Sequence, residues 1–307
     1  MKAYSIFDDF PASSVEILER SGIEVTLLPK GMERPEGEAL KRLLNEYDVL
    51  IISTAQKMPE EIFEDINEPK IIATASIGID HVHIPEGKKS FIKLVNAPKA
   101  NRISVAEHTF GLILALKKQL NEARRIAAEG KSKKVMQYKP NDLYGSTIGV
   151  IGAGGTAGAV LDMAKAFGMK RMAWTRNPEN HENLADDGVE FTELDYLLKN
   201  ADIISVNLPM TDETNGLISA DKIELIKENA VFITVSRTEI TDNEALLKRA
   251  SVQKNLFVGM DIDADKVCGL WDDDMDNVIV TPHIAGGTVE SRVRLFDEVS
   301  HAVISVI

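Results

Sequence analysis

Short apolar runs alternate with amphipathic stretches through the first hundred residues. Residues 25–28, 49–52, 71–75 and 91–95 read as strands, and residues 13–21, 36–46 and 59–66 between them carry helical periodicity. Strands alternating with helices predict a parallel sheet covered by its crossover connections. A second and stronger set follows at 148–151, 171–175, 203–207, 231–235, 256–260 and 278–281. Its near-continuous apolar character suits strands buried on both faces. The most apolar stretch, 103–120, is interrupted by Glu107, His108, Lys117 and Lys118, which predicts a buried helix rather than a bilayer span. Residues 289–307 have helical periodicity and are expected to pack back on the first domain. The pattern therefore gives an α/β chain of two doubly wound parallel-sheet domains. Residues 1–99 and 283–307 form the discontinuous one, and residues 100–282 are inserted into it.

Composition narrows the classes of function. The chain has 307 residues, with 35 basic against 48 acidic side chains and a net charge of −13. Such a balance argues against a sequence-independent grip on nucleic acid, which needs a basic surface. The single cysteine, Cys268, excludes an intrachain disulfide and points to a reducing compartment. The first residues, Lys2 to Asp9, lack the apolar core of a secretory signal. The expectation is a cytoplasmic protein with no nucleic-acid and no membrane partner.

Residues 152–157 read G-A-G-G-T-A between a predicted strand and a predicted helix. Gly152 permits a tight turn, Gly154 lets the backbone approach a pyrophosphate, and Ala157 still allows close packing of helix on strand. The helix N-terminus then offers free N–H groups and a partial positive charge to phosphates. This is the context of a Rossmann NAD(P)-binding domain. About 20 residues on, where a carboxylate would hold the ribose of NAD, the chain has Thr175 and Arg176. A hydroxyl and a guanidinium suit a 2′-phosphate, so NADP is favoured over NAD, which stays possible. The bland alternative is a surface arginine capping a loop.

Two polar residues stand at the ends of strand-like runs: Arg237 after residues 231–235, and His283 after residues 278–281 and Pro282. Ligands of open α/β sheets sit beyond the carboxyl ends of the strands. An arginine fork holds a carboxylate and polarises an adjacent ketone. A histidine carries the proton that accompanies hydride transfer. Together they point to reduction of a 2-oxo acid.

The segments that carry this chemistry resemble the D-isomer-specific 2-hydroxyacid dehydrogenase family. Ser76-Ile77-Gly78-Ile79-Asp80 is similar to its substrate loop and Val105-Ala106-Glu107-His108 to the start of its interdomain helix. Leu208-Pro209-Met210-Thr211 with Thr214 and Gly216-Leu217-Ile218 is similar to its adenine-side loop. Ser236-Arg237, Asp261 and Thr281-Pro282-His283 with Ala285-Gly286 complete the order. The resemblance implies a flavodoxin-like substrate domain and a homodimer. It implies that Arg237 orients the substrate and that His283 is the acid/base. Amides at Ile77 and Gly78 would hold the substrate carboxylate, and amides at Gly155 and Thr156 would meet the pyrophosphate. Pro209 and Thr214 would lie at the adenine, and Asp261 near the nicotinamide.

Three positions depart from the family pattern. The glutamate expected five residues after Asp261 is Lys266, so Asp265, with Asp263 close by, is the candidate carboxylate partner of His283. Lys266 in that place would shift the optimum for reduction to lower pH. Thr238 stands where the family usually has glycine, and Gly155 where many members carry a longer side chain. The substrate reading is a glyoxylate, hydroxypyruvate or glycerate type of acid. The alternatives are an NAD-dependent phosphoglycerate or glycerate dehydrogenase, or a weakly active nucleotide-sensing protein of the same fold. A phosphorylated substrate would call on Lys99 and Arg102, which equally suit a solvated helix start, and the chain leaves no room for an added regulatory domain. His81 and His83 alternate with apolar residues and read as loop residues rather than metal ligands.

Overall fold

The computed structural model describes residues 1–79, 81–133, 139–272 and 274–307. It falls into two compact units, Met1–Asn101 with Gly287–Ile307, and Arg102–Gly286.

The first unit is a five-stranded sheet of β1 (Lys2–Ser5), β2 (Glu24–Leu27), β3 (Val49–Ile52), β4 (Lys70–Thr74) and β5 (Ile92–Val95). Every pair is parallel and the order is β2-β1-β3-β4-β5, which is the flavodoxin order. The strand β1 has no apolar run of its own. Only Ala3 and Ser5 are buried, and pairing on both sides with β2 and β3 makes it a strand. Helices α1 (Ala12–Arg20) and α2 (Glu38–Glu46) flank the sheet. The helix expected at 59–66 is a single 3-10 turn, Glu60–Phe63, without a side-chain cap, which buries Ile62 and Phe63.

The C-terminal helix, Val289–Ser305, belongs to this unit. Phe296, fully buried, packs against the rings of Phe7 and Phe10. Ser14 donates from its hydroxyl to Asp297 at 2.6 Å, and Ser300 donates to the Ser14 carbonyl at 3.2 Å. Thr288 caps the helix by accepting from the Ser291 amide.

The second unit holds seven parallel strands: β6 (Thr147–Ile151), β7 (Lys170–Trp174), β8 (Glu190–Phe191), β9 (Ile203–Val206), β10 (Val231–Thr234), β11 (Phe257–Asp261) and β12 (Val278–Thr281). Their order is β12-β11-β10-β9-β6-β7-β8. The winding reverses at β6, which pairs with β7 on one side and β9 on the other. A reversal of this kind opens a crevice at the carboxyl ends of the strands, where ligands of such sheets bind. Helix α3 (Arg102–Lys117), followed by α4 (Leu120–Ala128), is the buried apolar helix foreseen near 103–120. It lies close on β11 because Gly259 has no side chain: a Cβ there would sit 2.7 Å from Ile233 Cδ1 and 3.2 Å from Leu112 Cβ. Residues 283–286, drawn from sequence into the other unit, stay with this one, bound to it through Asp261. Among the described residues no helix is long and apolar enough to cross a membrane.

Candidate active site

The glycine turn leaves β6 at the point of reversal. Gly152 has φ +118°, and a Cβ on it would lie 2.5 Å from the Asn207 carbonyl oxygen, so the turn admits only glycine. Its amide donates to the Trp174 carbonyl at 2.8 Å, and the Asn207 amide donates to Ile151 at 2.8 Å. These bonds draw the ends of β7 and β9 to the turn. Gly154 caps helix α5 (Gly155–Ala166), and a Cβ on it would face open space. The Gly158 amide is the first to bond back, to the Gly154 carbonyl, which leaves Gly155, Thr156 and Ala157 amides at the helix tip for a ligand. Ala157 is fully buried, the close helix–strand contact expected of it. A turn open at Gly154, with free amides behind it, fits a dinucleotide pyrophosphate.

Thr175 and Arg176 follow β7 directly. The Arg176 guanidinium Nη1 lies 2.7 Å from the Glu213 Oε2, both side chains more than half exposed. The hydrogen bond from Arg176, with another from Thr211, holds the Glu213 carboxyl below the usual carboxylate range. Glu213 was not among the sequence candidates, although its place one residue before Thr214 put it in the same loop. Pro209 is exposed on that loop. Thr214, expected to meet the adenine, is 3% exposed and spends its hydroxyl internally. It donates to the Pro209 carbonyl at 2.7 Å and accepts from the Thr211 amide at 2.8 Å. These bonds hold the shape of the loop.

Arg237 follows β10 in extended backbone (φ −114°, ψ 145°) and is exposed. The only hydrogen bond of its side chain among the described residues is a 3.5 Å contact to the Ser236 carbonyl, so the fork is available to an anion. Thr238 has no positive φ; it begins the 3-10 turn Thr238–Ile240, and a β-branched residue fits there without strain.

His283 Nδ1 lies 3.1 Å from Asp263 Oδ1. A carboxylate only accepts, so Nδ1 carries the hydrogen and Nε2 is left to exchange a proton. Asp265, the expected partner, makes no contact with His283; it sits in the 3-10 turn Ala264–Val267. The reason is strand register. Asp261 pairs with Thr281, so two residues on, with the side-chain period of a strand, position 263 meets position 283. The hydrogen bond from His283 also holds the Asp263 carboxyl below its usual range, assisted by His283 and Lys266 charges.

Lys266 does stand in the site, and its charge is balanced. Its Nζ bonds to the Glu239 carboxylate and lies 3.6 Å from Asp263 Oδ2. The bond to Glu239 raises the lysine above its ordinary value, and the same bond lowers Glu239. Lys266 therefore stands beside His283's partner as half of an ion pair with Glu239, not as a lone charge.

Asp261, expected beside the nicotinamide, is 1% exposed and its oxygens are already taken. Oδ1 accepts from the Thr281 hydroxyl at 2.6 Å and the Ile284 amide at 2.9 Å, and Oδ2 from the Ala285 amide at 2.7 Å. It clamps the loop that carries His283. The clamp matters because His283 has φ +55°, a costly backbone for a non-glycine residue. His108 adds to it from α3, with Nε2 3.0 Å from Thr281 Oγ1.

In the first unit, Ile77 and Gly78 lie on the loop after β4, with Ile77 exposed. Asn96 Nδ2 donates to the Ile77 carbonyl at 2.6 Å and the Ser76 hydroxyl to the Gly78 carbonyl at 2.5 Å. The carbonyls are fixed, while the two amides make no hydrogen bond among the described residues. His81 is buried, with Nε2 2.9 Å from Thr74 Oγ1, and anchors the loop's far end. Asp80, named with this loop, lies outside the described residues.

Comparison with known proteins agrees with this geometry. The family model for the NAD-binding domain of D-isomer-specific 2-hydroxyacid dehydrogenases matches residues 110–285. A hydroxypyruvate reductase of Thermotoga maritima is 33% identical over 285 residues, covering 91% of this chain and 89% of that one. A D-3-phosphoglycerate dehydrogenase of Synechocystis is 29% identical over 313 residues, covering 99% of this chain but 56% of the relative. Among solved structures, a D-lactate dehydrogenase of Aquifex aeolicus, complexed with NAD and lactic acid, superposes with a TM-score of 0.76 at 27% identity. That match covers 100% of this chain and 95% of the other.

Proposed function

We propose that this chain, which belongs to the D-isomer-specific 2-hydroxyacid dehydrogenase family, reduces a small 2-oxo acid of the glyoxylate or hydroxypyruvate type with NADPH. Membership makes it an NAD(P)-dependent oxidoreductase; the choice of cofactor and acid is the proposal. The observation that carries the chemistry is an arginine fork open to an anion after β10 and an oriented histidine after β12, the two strands that flank β11. When bound, the reduced nicotinamide supplies the hydride. Arg237 donates to the substrate's carboxylate and carbonyl oxygens and so draws electron density from the carbonyl carbon. His283 delivers its Nε2 proton to the carbonyl oxygen, which completes the hydroxyl group. Asp263 accepts from Nδ1 and so orients the ring with Nε2 towards the substrate. A carboxylate partner thus exists despite Lys266, which favours the enzyme over a poorly active nucleotide sensor of the same fold. The homodimer implied by the resemblance and the cytoplasmic setting expected from the sequence belong to the same proposal.

NADPH is supported by Thr175 and Arg176, a hydroxyl and a cation where a carboxylate would repel the 2′-phosphate. One observation favours the NAD-dependent reading: Glu213 already neutralises Arg176. Exposed pairs of this kind contribute roughly 0–1 kcal/mol, so a phosphate can displace the carboxylate. Steady-state kinetics with both cofactors decide the matter. The expected kcat/KM is at least about tenfold higher for NADPH, and Arg176→Ala lowers that value while leaving the NADH value in place. A preference for NADH that Arg176→Ala does not alter would establish the NAD-dependent reading instead.

A further inference from the structure

We propose that Arg102 is a phosphate-binding residue for the nicotinamide dinucleotide, supplied from α3 rather than from the glycine turn; this rests on the dinucleotide reading above. Arg102 is the first residue of α3, and its Cδ passes 3.5 Å from the point where a Cβ on Gly155 would stand. Gly155 opens α5 and carries one of the free amides of the turn. The volume that a longer side chain at 155 would fill is therefore occupied by the arginine stem. Glycine at 155 and arginine at 102 are complementary, and the departure at 155 has its compensation elsewhere in the chain.

Electrostatics say what the guanidinium is for. Arg102 is exposed, and its side chain has no ion pair and no hydrogen bond among the described residues. It stands at the amino end of α3, where the helix dipole disfavours a cation. A few ångströms away the amino end of α5 adds more positive potential. The chain has 48 acidic residues, yet among the described residues none pairs with this cation at the meeting of two helix amino ends. A doubly charged pyrophosphate meets that need, and a guanidinium reads phosphate through paired hydrogen bonds. Because both cofactors carry the pyrophosphate, Arg102 serves affinity for either and discriminates neither, in contrast to Arg176.

Calorimetric titration of the full chain tests this, using NADPH, NADH, ADP and adenosine as probes. In Arg102→Gln the dissociation constants for NADPH, NADH and ADP should each rise by about tenfold, with adenosine unchanged. Adding Gly155→Arg to that variant should restore most of the loss, since it returns a guanidinium to the same space. Unchanged affinities in Arg102→Gln overturn the proposal. So does a loss confined to NADPH, which would place the arginine at the 2′-phosphate, or an equal loss for adenosine, which would mean a damaged fold. If the parent protein binds neither NADPH nor NADH, the dinucleotide reading itself fails, a result distinct from normal parental binding with an indifferent Arg102.

Discussion

His283 and Asp263 meet because β11 and β12 run in parallel register, and the consequence is visible in single residues. The hydrogen bond from His283 keeps Asp263 ionised well below the usual carboxylate range. The charge on the fixed acceptor therefore persists through neutral pH and is lost only as pH falls through that lowered value. Asp263→Asn removes both the charge and the fixed acceptor. Its kcat for reduction should drop by roughly tenfold or more. Asp265→Asn should leave kcat where it was. An unchanged kcat in Asp263→Asn, with a drop in Asp265→Asn, would reverse the assignment. Arg237, His283 and Thr175-Arg176 were legible in the sequence because each follows a long apolar run. Asp263 was legible only as one of two carboxylates near position 266, and the choice between them needed the register across strands. Glu239 and Glu213 were hidden for the same reason: their meaning lies in the cations they meet, Lys266 and Arg176.

At the scale of elements, the strands of the second unit were readable to within a residue or two, as their burial on both faces demands apolar runs. Two strands were not. β8 has only two residues, Glu190–Phe191, at the sheet edge, and β1 is sustained by its neighbours rather than by its own pattern. The glycine turn was legible because strand, turn and helix are contiguous, so local rules suffice. The loop after β12 depends instead on a buried carboxylate at the end of β11. Asp261→Ala would leave the Thr281 hydroxyl and the Ile284 and Ala285 amides without their acceptor. We expect a loss of about 2–4 kcal/mol in thermal or denaturant unfolding, as for other buried groups stripped of a charged partner. Turnover should fall with it, because His283 would lose the support for its left-handed backbone, while nucleotide affinity should fall little. A variant as stable and active as the parent would show that the loop is held by other means.

The whole chain joins two parallel-sheet units, one of them split by the other, and divides the chemistry between separate loops of known place. In the second unit the reversal at β6 gathers the phosphate turn, the ribose-side pair Thr175-Arg176, and the strand ends bearing Arg237 and His283. Such gathering follows from winding order, not from any single motif, which is why the fold class could be read from alternation while the site needed the sheet order. The acidic net charge is spread over this frame, yet cations stand at Arg176, Arg237 and Arg102, where anionic groups of cofactor and substrate would bind. The most direct measurement is the loss of absorbance at the reduced-nicotinamide band, with glyoxylate and hydroxypyruvate each offered with NADPH to the parent protein and to His283→Asn. The account predicts steady NADPH oxidation by the parent with one or both acids. It predicts a fall on the order of 10²- to 10⁴-fold in His283→Asn, with NADPH affinity retained. Tight NADPH binding without turnover of either acid, or full turnover in His283→Asn, would contradict it.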